Sequence, residues 1–217
     1  MTKFKKININ RKKMKTNFIC LAIAGVLAVS CNSAEKTTNV ADTKTVVLQN
    51  IHNRKSVRTF VTRKMVGRED LLTLVKAGMA APTASNKQPW EFVAVSDSAV
   101  IDALAEKLPN NKMLRSAGGA ILVCGNADRF YDGALKEFWI QDCSAATQNI
   151  LLAVEAMELG AVWTAVHPNV ERIGLLKEFF NLPENISPLA LIVLGYPEGE
   201  QTPKDKWKEE YLHWETF

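Results

Sequence analysis

Leu135 to Leu159 reads LKEFWIQDCSAATQNILLAVEAMEL, a long stretch with neither Gly nor Pro, and its pattern decides the architecture. Phe138, Ile140, Ala145, Ile150, Leu151, Leu152, Val154 and Met157 wrap most of a helical circumference. A helix that is apolar nearly all round is buried on several sides, as a central or dimer-forming helix is. Gly160 is expected to cap it, and Ala161 to Val166 (AVWTAV) follows as a strand.

The same alternation continues on both sides. Upstream, Gly67 to Ala80 reads as a helix with Glu69 and Asp70 in its first turn and Leu71, Leu72, Leu74, Val75 and Met79 as its apolar stripe. Pro82 ends it. Glu91 to Ser96 is a strand, Ser98 to Leu108 an amphipathic helix closed by Pro109, and Ala120 to Cys124 (AILVC) a strongly apolar strand. Downstream, Val170 to Phe180 reads as a helix and Leu189 to Leu194 (LALIVL) as a strand ending at Gly195-Tyr196-Pro197. The last twenty residues carry Trp207, Tyr211, Trp214 and Phe217, which a solvated tail would not need.

The 217 residues are 47% hydrophobic and 23% charged, proportions that exclude a largely disordered chain or a coiled coil, and the single membrane-like apolar run, at the N-terminus, excludes a multi-span membrane protein. The net charge of +4 is unevenly placed. Seven basic residues and no acid precede Cys31; without them twenty basic residues face 23 acidic ones. The body is therefore mildly acidic, and no nucleic-acid partner is expected.

Asn17 to Ser30 (NFICLAIAGVLAVS) follows those basic residues and is short for a full membrane span. With Ala28-Val29-Ser30-Cys31 it resembles a bacterial lipoprotein signal, which implies acylation of Cys31; an uncleaved anchor is the alternative. Translation from Met14 would still leave a complete signal. Residues 1–30 are thus read as an export signal, 31–48 as a polar tether, and 49–217 as the working domain, held in the cell envelope on the periplasmic or outer face of a membrane. Cys124 and Cys143 fall in apolar patterns and read as small core residues, with a disulfide between them left open.

No HExxH, CxxC pair, GxSxG or GxxxxGK[ST] is present. His52, His167 and His213 are far apart, and Gly118-Gly119 precedes a strand where a dinucleotide fingerprint would follow one. A cofactor-dependent enzyme or a binding protein remains. Asn53 to Phe60 (NRKSVRTF) sets Arg54, Lys55, Ser56 and Arg58 within five residues, a group suited to a phosphate or a hydroxylated chain. Ala81 to Trp90 (APTASNKQPW) is a proline-stiffened loop with short polar side chains.

These two segments, together with Leu159 to Val166 (LGAVWTAV) and Pro203-Lys204-Asp205-Lys206-Trp207, resemble the FMN-dependent nitroreductase family in order and spacing from about Gln49 to Phe217. The resemblance implies an α+β, three-layer α/β/α sandwich with a central mixed or antiparallel sheet, in a domain-swapped homodimer with flavin between the subunits. It implies that Arg54, Lys55, Ser56, Arg58, Lys204 and Lys206 meet the FMN phosphate and ribityl chain. Pro82, Thr83, Ala84 and Asn86 would border the ring, and backbone amides at Trp163, Thr164 and Ala165 would approach its face and N5 edge. Lys206 stands where arginine is common, and Ala165 where glycine is common.

The resemblance further implies ping-pong turnover, electrons passing from NAD(P)H through flavin N5 to a small electron-poor acceptor, with no catalytic acid–base side chain and no metal. Arg58 is the candidate cation for the charge that reduction places at N1. Location outside the cytoplasm, where nicotinamide is scarce, makes a membrane quinol or redox protein an alternative donor. Substrate choice is expected near Leu108 to Ser116 and at the tail. Alternatives are another flavin reaction on this scaffold, such as dehalogenation or enone reduction, and a lipid-anchored FMN- or ligand-binding protein without turnover.

Overall fold

The computed structural model describes residues 42–217; the export signal, Cys31 and the first part of the tether lie outside the described residues. Helix α1 (Thr43–Asn53) is followed by α2 (Arg68–Met79), β1 (Trp90–Val95), α3 (Ser98–Lys107), β2 (Gly119–Asn126), α4 (Phe138–Ala156), β3 (Gly160–Ala165), α5 (Val170–Phe179) and β4 (Ile186–Gly195). The four strands form one antiparallel sheet in the order β1-β2-β4-β3.

Burial explains why the two central strands read as unbroken apolar runs. Alternation along β2 sends Ile121 and Val123 to the layer of α2 and α4, while Ala120, Leu122 and Cys124 face α3 and α5. Both faces of a central strand are covered, so both must be apolar. The result is the expected three-layer α/β/α sandwich, with antiparallel pairing throughout. It also separates the thiols: Cys143 packs in the α2/α4 layer and Cys124 in the opposite one, and both are free. The Cys143 thiol donates instead to the Cys124 carbonyl at 3.4 Å.

Three expectations shift. The tether ends sooner than residue 48, because α1 begins at Thr43; it buries no residue and leaves Val46, Val47, Leu48 and Ile51 exposed. Helix α4 does not end on Gly160. Glu158 takes the left-handed conformation (φ 57°) and the Leu159 amide donates to the Val154 carbonyl at 3.0 Å, closing the last turn. Gly160 opens β3 instead, where a Cβ would stand 2.7 Å from Val57. Finally, Leu72 and Met79 lie outside the buried stripe of α2, which consists of Leu71, Leu74 and Gly78.

Candidate functional site

Residues 54–58 leave α1 as an extended segment beside β3. Ser56 bridges Ala161 in parallel register, and the Val57 amide donates to the Ala161 carbonyl at 2.8 Å. Alternation turns Val57 into the core and leaves Ser56 and Arg58 facing solvent. After β4 the chain returns along this segment: Phe60 bridges Pro197, the Val61 amide donates to Tyr196, and the Glu198 amide donates to Thr59. That route brings the tail to Arg54 and Arg58.

The two basic groups meet. Arg54, Lys55, Ser56, Arg58, Thr202, Lys204 and Lys206 line a cleft of about 240 Å³ with no carboxylate in its wall. Among the described residues, no acid pairs with Arg54, Arg58, Lys204 or Lys206. Lys55 differs. Its ammonium donates to Glu155 at 3.1 and 3.2 Å and to the Asn53 carbonyl at 3.4 Å, so its charge is answered within the chain. Four cations with no acidic partner among the described residues, set around one hollow, suit a dianion such as a phosphate monoester.

The proline loop lies at the other end of α4. The Ala84 amide donates to the Asp142 carboxylate at 2.9 Å, whereas Lys55 and α1 attach near Glu155 and Leu152. Ser85, Asn86 and Gln88 all adopt left-handed φ values of 45°, 55° and 48°. Within the loop the Gln88 amide donates to the Thr83 hydroxyl at 3.1 Å, and the Gln88 side-chain amide donates to Asn86 Oδ1 at 3.0 Å. The Thr83 hydroxyl thus accepts within the loop and keeps its O–H as a donor, and Asn86 retains its NH₂ for a ligand acceptor. Pro82 and Asn86 are exposed, Thr83 and Ala84 half-buried.

On β3 the candidates divide by parity. Because the Ala161 carbonyl points away from β4, the backbone groups of Trp163 and Ala165 also face the open edge, while those of Thr164 face β4. The Thr164 hydroxyl is likewise committed, donating to the Leu191 carbonyl at 2.7 Å. Trp163 and Ala165 are thus the amides available beyond the edge, and exposed Ala165 has room for its methyl group.

Leu108 to Ser116 sits elsewhere: Asn111 accepts from Arg172 at 3.1 Å, on the α3/α5 layer. Sequence reasoning missed the residues beside the proline loop. Phe130 stacks on Trp139 (centroids 5.0 Å), Trp139 meets His167 edge-on, and Lys87 lies 4.6 Å over the Tyr131 ring. The aromatic run of Phe130, Tyr131, Phe138 and Trp139 was the available signal. Buried Asp142 gives no such signal in the sequence. Among the described residues, no group of His, Cys, Asp and Glu is arranged to hold a metal ion.

The Nitroreductase family model matches residues 51–108 and 102–196. The chain belongs to the nitroreductase family. A protein of Archaeoglobus fulgidus with the provisional name NADH dehydrogenase/NAD(P)H nitroreductase is 38% identical over 173 residues, spanning 78% of this chain and 98% of its own. A crystal structure from Bacteroides thetaiotaomicron, under the same provisional name, is 46% identical with a TM-score of 0.73, over 79% of this chain and 98% of that one. A provisionally assigned nitroreductase from Desulfovibrio desulfuricans, solved in complex with FMN, is 31% identical with a TM-score of 0.65, over 79% and 97%.

Proposed function

We propose that this nitroreductase-family chain is an FMN-dependent oxidoreductase that draws electrons from NAD(P)H or another donor and delivers them to a small electron-poor acceptor. The observation that carries the reading is the carboxylate-free cleft where Arg54, Arg58, Lys204 and Lys206 converge without partners among the described residues. Its size and charge fit the phosphate of FMN. Ser56 and Thr202 offer hydroxyls to the ribityl chain, and Lys55, held by Glu155, shapes the wall.

Bound FMN supplies two-electron transfer in alternating half-reactions with donor and acceptor. The chain orients and shields the cofactor. Arg58 contributes positive charge toward the cofactor as it gains negative charge. Trp163 and Ala165 offer backbone amides along the open edge of β3, and Asn86 offers its NH₂ from the loop.

A homodimer completes the site. The cleft and the loop attach to opposite ends of α4, and the thirteen helical steps from Asp142 to Glu155 rise about 20 Å. A two-fold arrangement with α4 antiparallel to its copy sets the loop of one subunit against the cleft of the other. Exposed Val46, Val47, Leu48 and Ile51 on α1, with Trp207, Tyr211 and Trp214 on the tail, supply apolar surface for that contact and for a swapped tail. Residues 1–30 we assign to export, with Cys31 as lipid anchor holding the domain at the envelope surface.

The purified protein is expected to be yellow, to bleach with NADH, NADPH or a quinol, and to recolour on adding a nitroaromatic or quinone acceptor. Colourless protein that takes up no FMN on reconstitution would overturn the proposal. Retained colour that no reductant bleaches would leave a binding protein in place of an enzyme.

A further inference from the structure

Asp142 is 6% exposed, and no cation pairs with it among the described residues. Its one hydrogen bond among the described residues accepts the Ala84 amide across 58 positions of sequence. Burying a carboxylate with one hydrogen bond and no paired cation among the described residues is costly, so the bond needs a structural reason. The partner explains the need. Ala84 opens the turn in which Ser85, Asn86 and Gln88 are all left-handed without being glycine, a run of conformations that surroundings must enforce.

The loop is anchored at its ends by the Ala81 amide on the Gly78 carbonyl and by buried Pro89 and Trp90. Between them, among the described residues, the ties to the body are Ala84 to Asp142 and the Lys87 ammonium, which reaches the Phe130 carbonyl at 3.5 Å and lies 4.6 Å over the Tyr131 ring. A charged acceptor makes the stronger bond, and a carboxylate presents no donor that could turn toward the amide and repel it.

We infer that Asp142 is a positioning residue, holding Thr83–Gln88 in the shape that presents Asn86 to the ring of the cofactor. The inference rests on the FMN reading above. It gives the two ends of α4 different parts of the cofactor. Asp142 governs the ring end, and the Arg54–Arg58 and Lys204–Lys206 cleft governs the phosphate end.

The test titrates the full-length protein, stripped of flavin, with FMN and with riboflavin, which has the ring but no phosphate. Asp142→Ala should weaken both by about tenfold, and Asp142→Asn, which keeps an acceptor oxygen, should stay within about threefold of wild type. Ala84→Pro removes the donor of the same bond, and Thr83 is already extended (φ −137°, ψ 155°) as a residue before proline must be. Its loss should match that of Asp142→Ala, and the double variant should lose no more than either alone. Lys204→Ala/Lys206→Ala, at the phosphate end, should weaken FMN far more than riboflavin. Unchanged affinity in Asp142→Ala, a loss confined to FMN, additive losses in the double variant, or an Asp142→Asn as poor as Asp142→Ala would each overturn the inference. If Asp142→Ala does not fold, Ala84→Pro and Asp142→Asn decide it. Failure of the wild type to bind either flavin would instead sink the cofactor reading itself.

Discussion

Replacing both Lys204 and Lys206 with Ala tests the convergence of tail and N-terminal segment. An ammonium about 4 Å from a phosphate oxygen gains about 4 kcal/mol at an effective dielectric of 20, and about 1 kcal/mol in bulk water. Both lysines are exposed, so the value lies near the lower end. About 1–1.5 kcal/mol each gives about 2–3 kcal/mol together, or a ~30- to 150-fold rise in Kd for FMN. Riboflavin has no phosphate and should shift less than about twofold. Flavin-fluorescence titration measures both. Wild-type FMN affinity should also fall as salt rises toward about 0.5 M, and the double variant should respond less steeply. An FMN affinity within about threefold of wild type, or an equal loss for riboflavin, would refute the assignment of these lysines to the phosphate.

Other substitutions probe the frame. Lys55→Met combined with Glu155→Gln, which removes both charges of the pair, should leave FMN affinity within about threefold of wild type; a loss of about tenfold would show the ammonium reaching the ligand. Gly160→Ala should cost about 1–3 kcal/mol in denaturant unfolding, since its methyl group meets Val57 at 2.7 Å, and should weaken FMN by displacing Ser56 and Arg58. Burial raises the Cys124 thiol from 9.0 to about 12, with Glu91 adding to it, and burial raises Cys143 further. The folded state then holds protons that the unfolded state releases above about pH 9, so stability is intact below that pH and declines as pH climbs toward 12. Chemical unfolding from about pH 7 to about pH 11 should show this decline and a smaller one in Cys124→Ala/Cys143→Ala; equal slopes would contradict it. Neither thiol should react with a thiol reagent in the folded protein.

Much of the fold was legible because its elements differ in period. The runs at Ala120 and Leu189 are too apolar for anything but central strands, and α2 to α5 carry clear stripes and stops. Helix α1 was hidden because its apolar residues cover no core of their own chain, and TKTVVLQNIHN follows a polar stretch that reads as tether. Gly160 is an ordinary cap signal after a long helix; only the approach of Val57, more than a hundred residues earlier, shows what the missing Cβ is for.

The site was legible as residue types and not as assignments. NRKSVRTF announces cations, yet sequence alone cannot tell that Lys55 turns to Glu155 while Arg54 and Arg58 do not. Nor can it reveal that strand parity gives the open edge to Trp163 and Ala165 and withholds Thr164. The structure places Leu108 to Ser116 on the α3/α5 layer, across the sheet from α2 and α4.

The central claim is that one FMN is held by the cleft of one chain and the loop of another. Native mass spectrometry tests this when chains carrying Lys204→Ala/Lys206→Ala are mixed with chains carrying Asp142→Ala: a shared site leaves each mixed dimer one FMN of wild-type affinity, built from the intact cleft of one chain and the intact loop of the other. A single chain retaining FMN with undiminished affinity, or a dimer that takes up none, would contradict it.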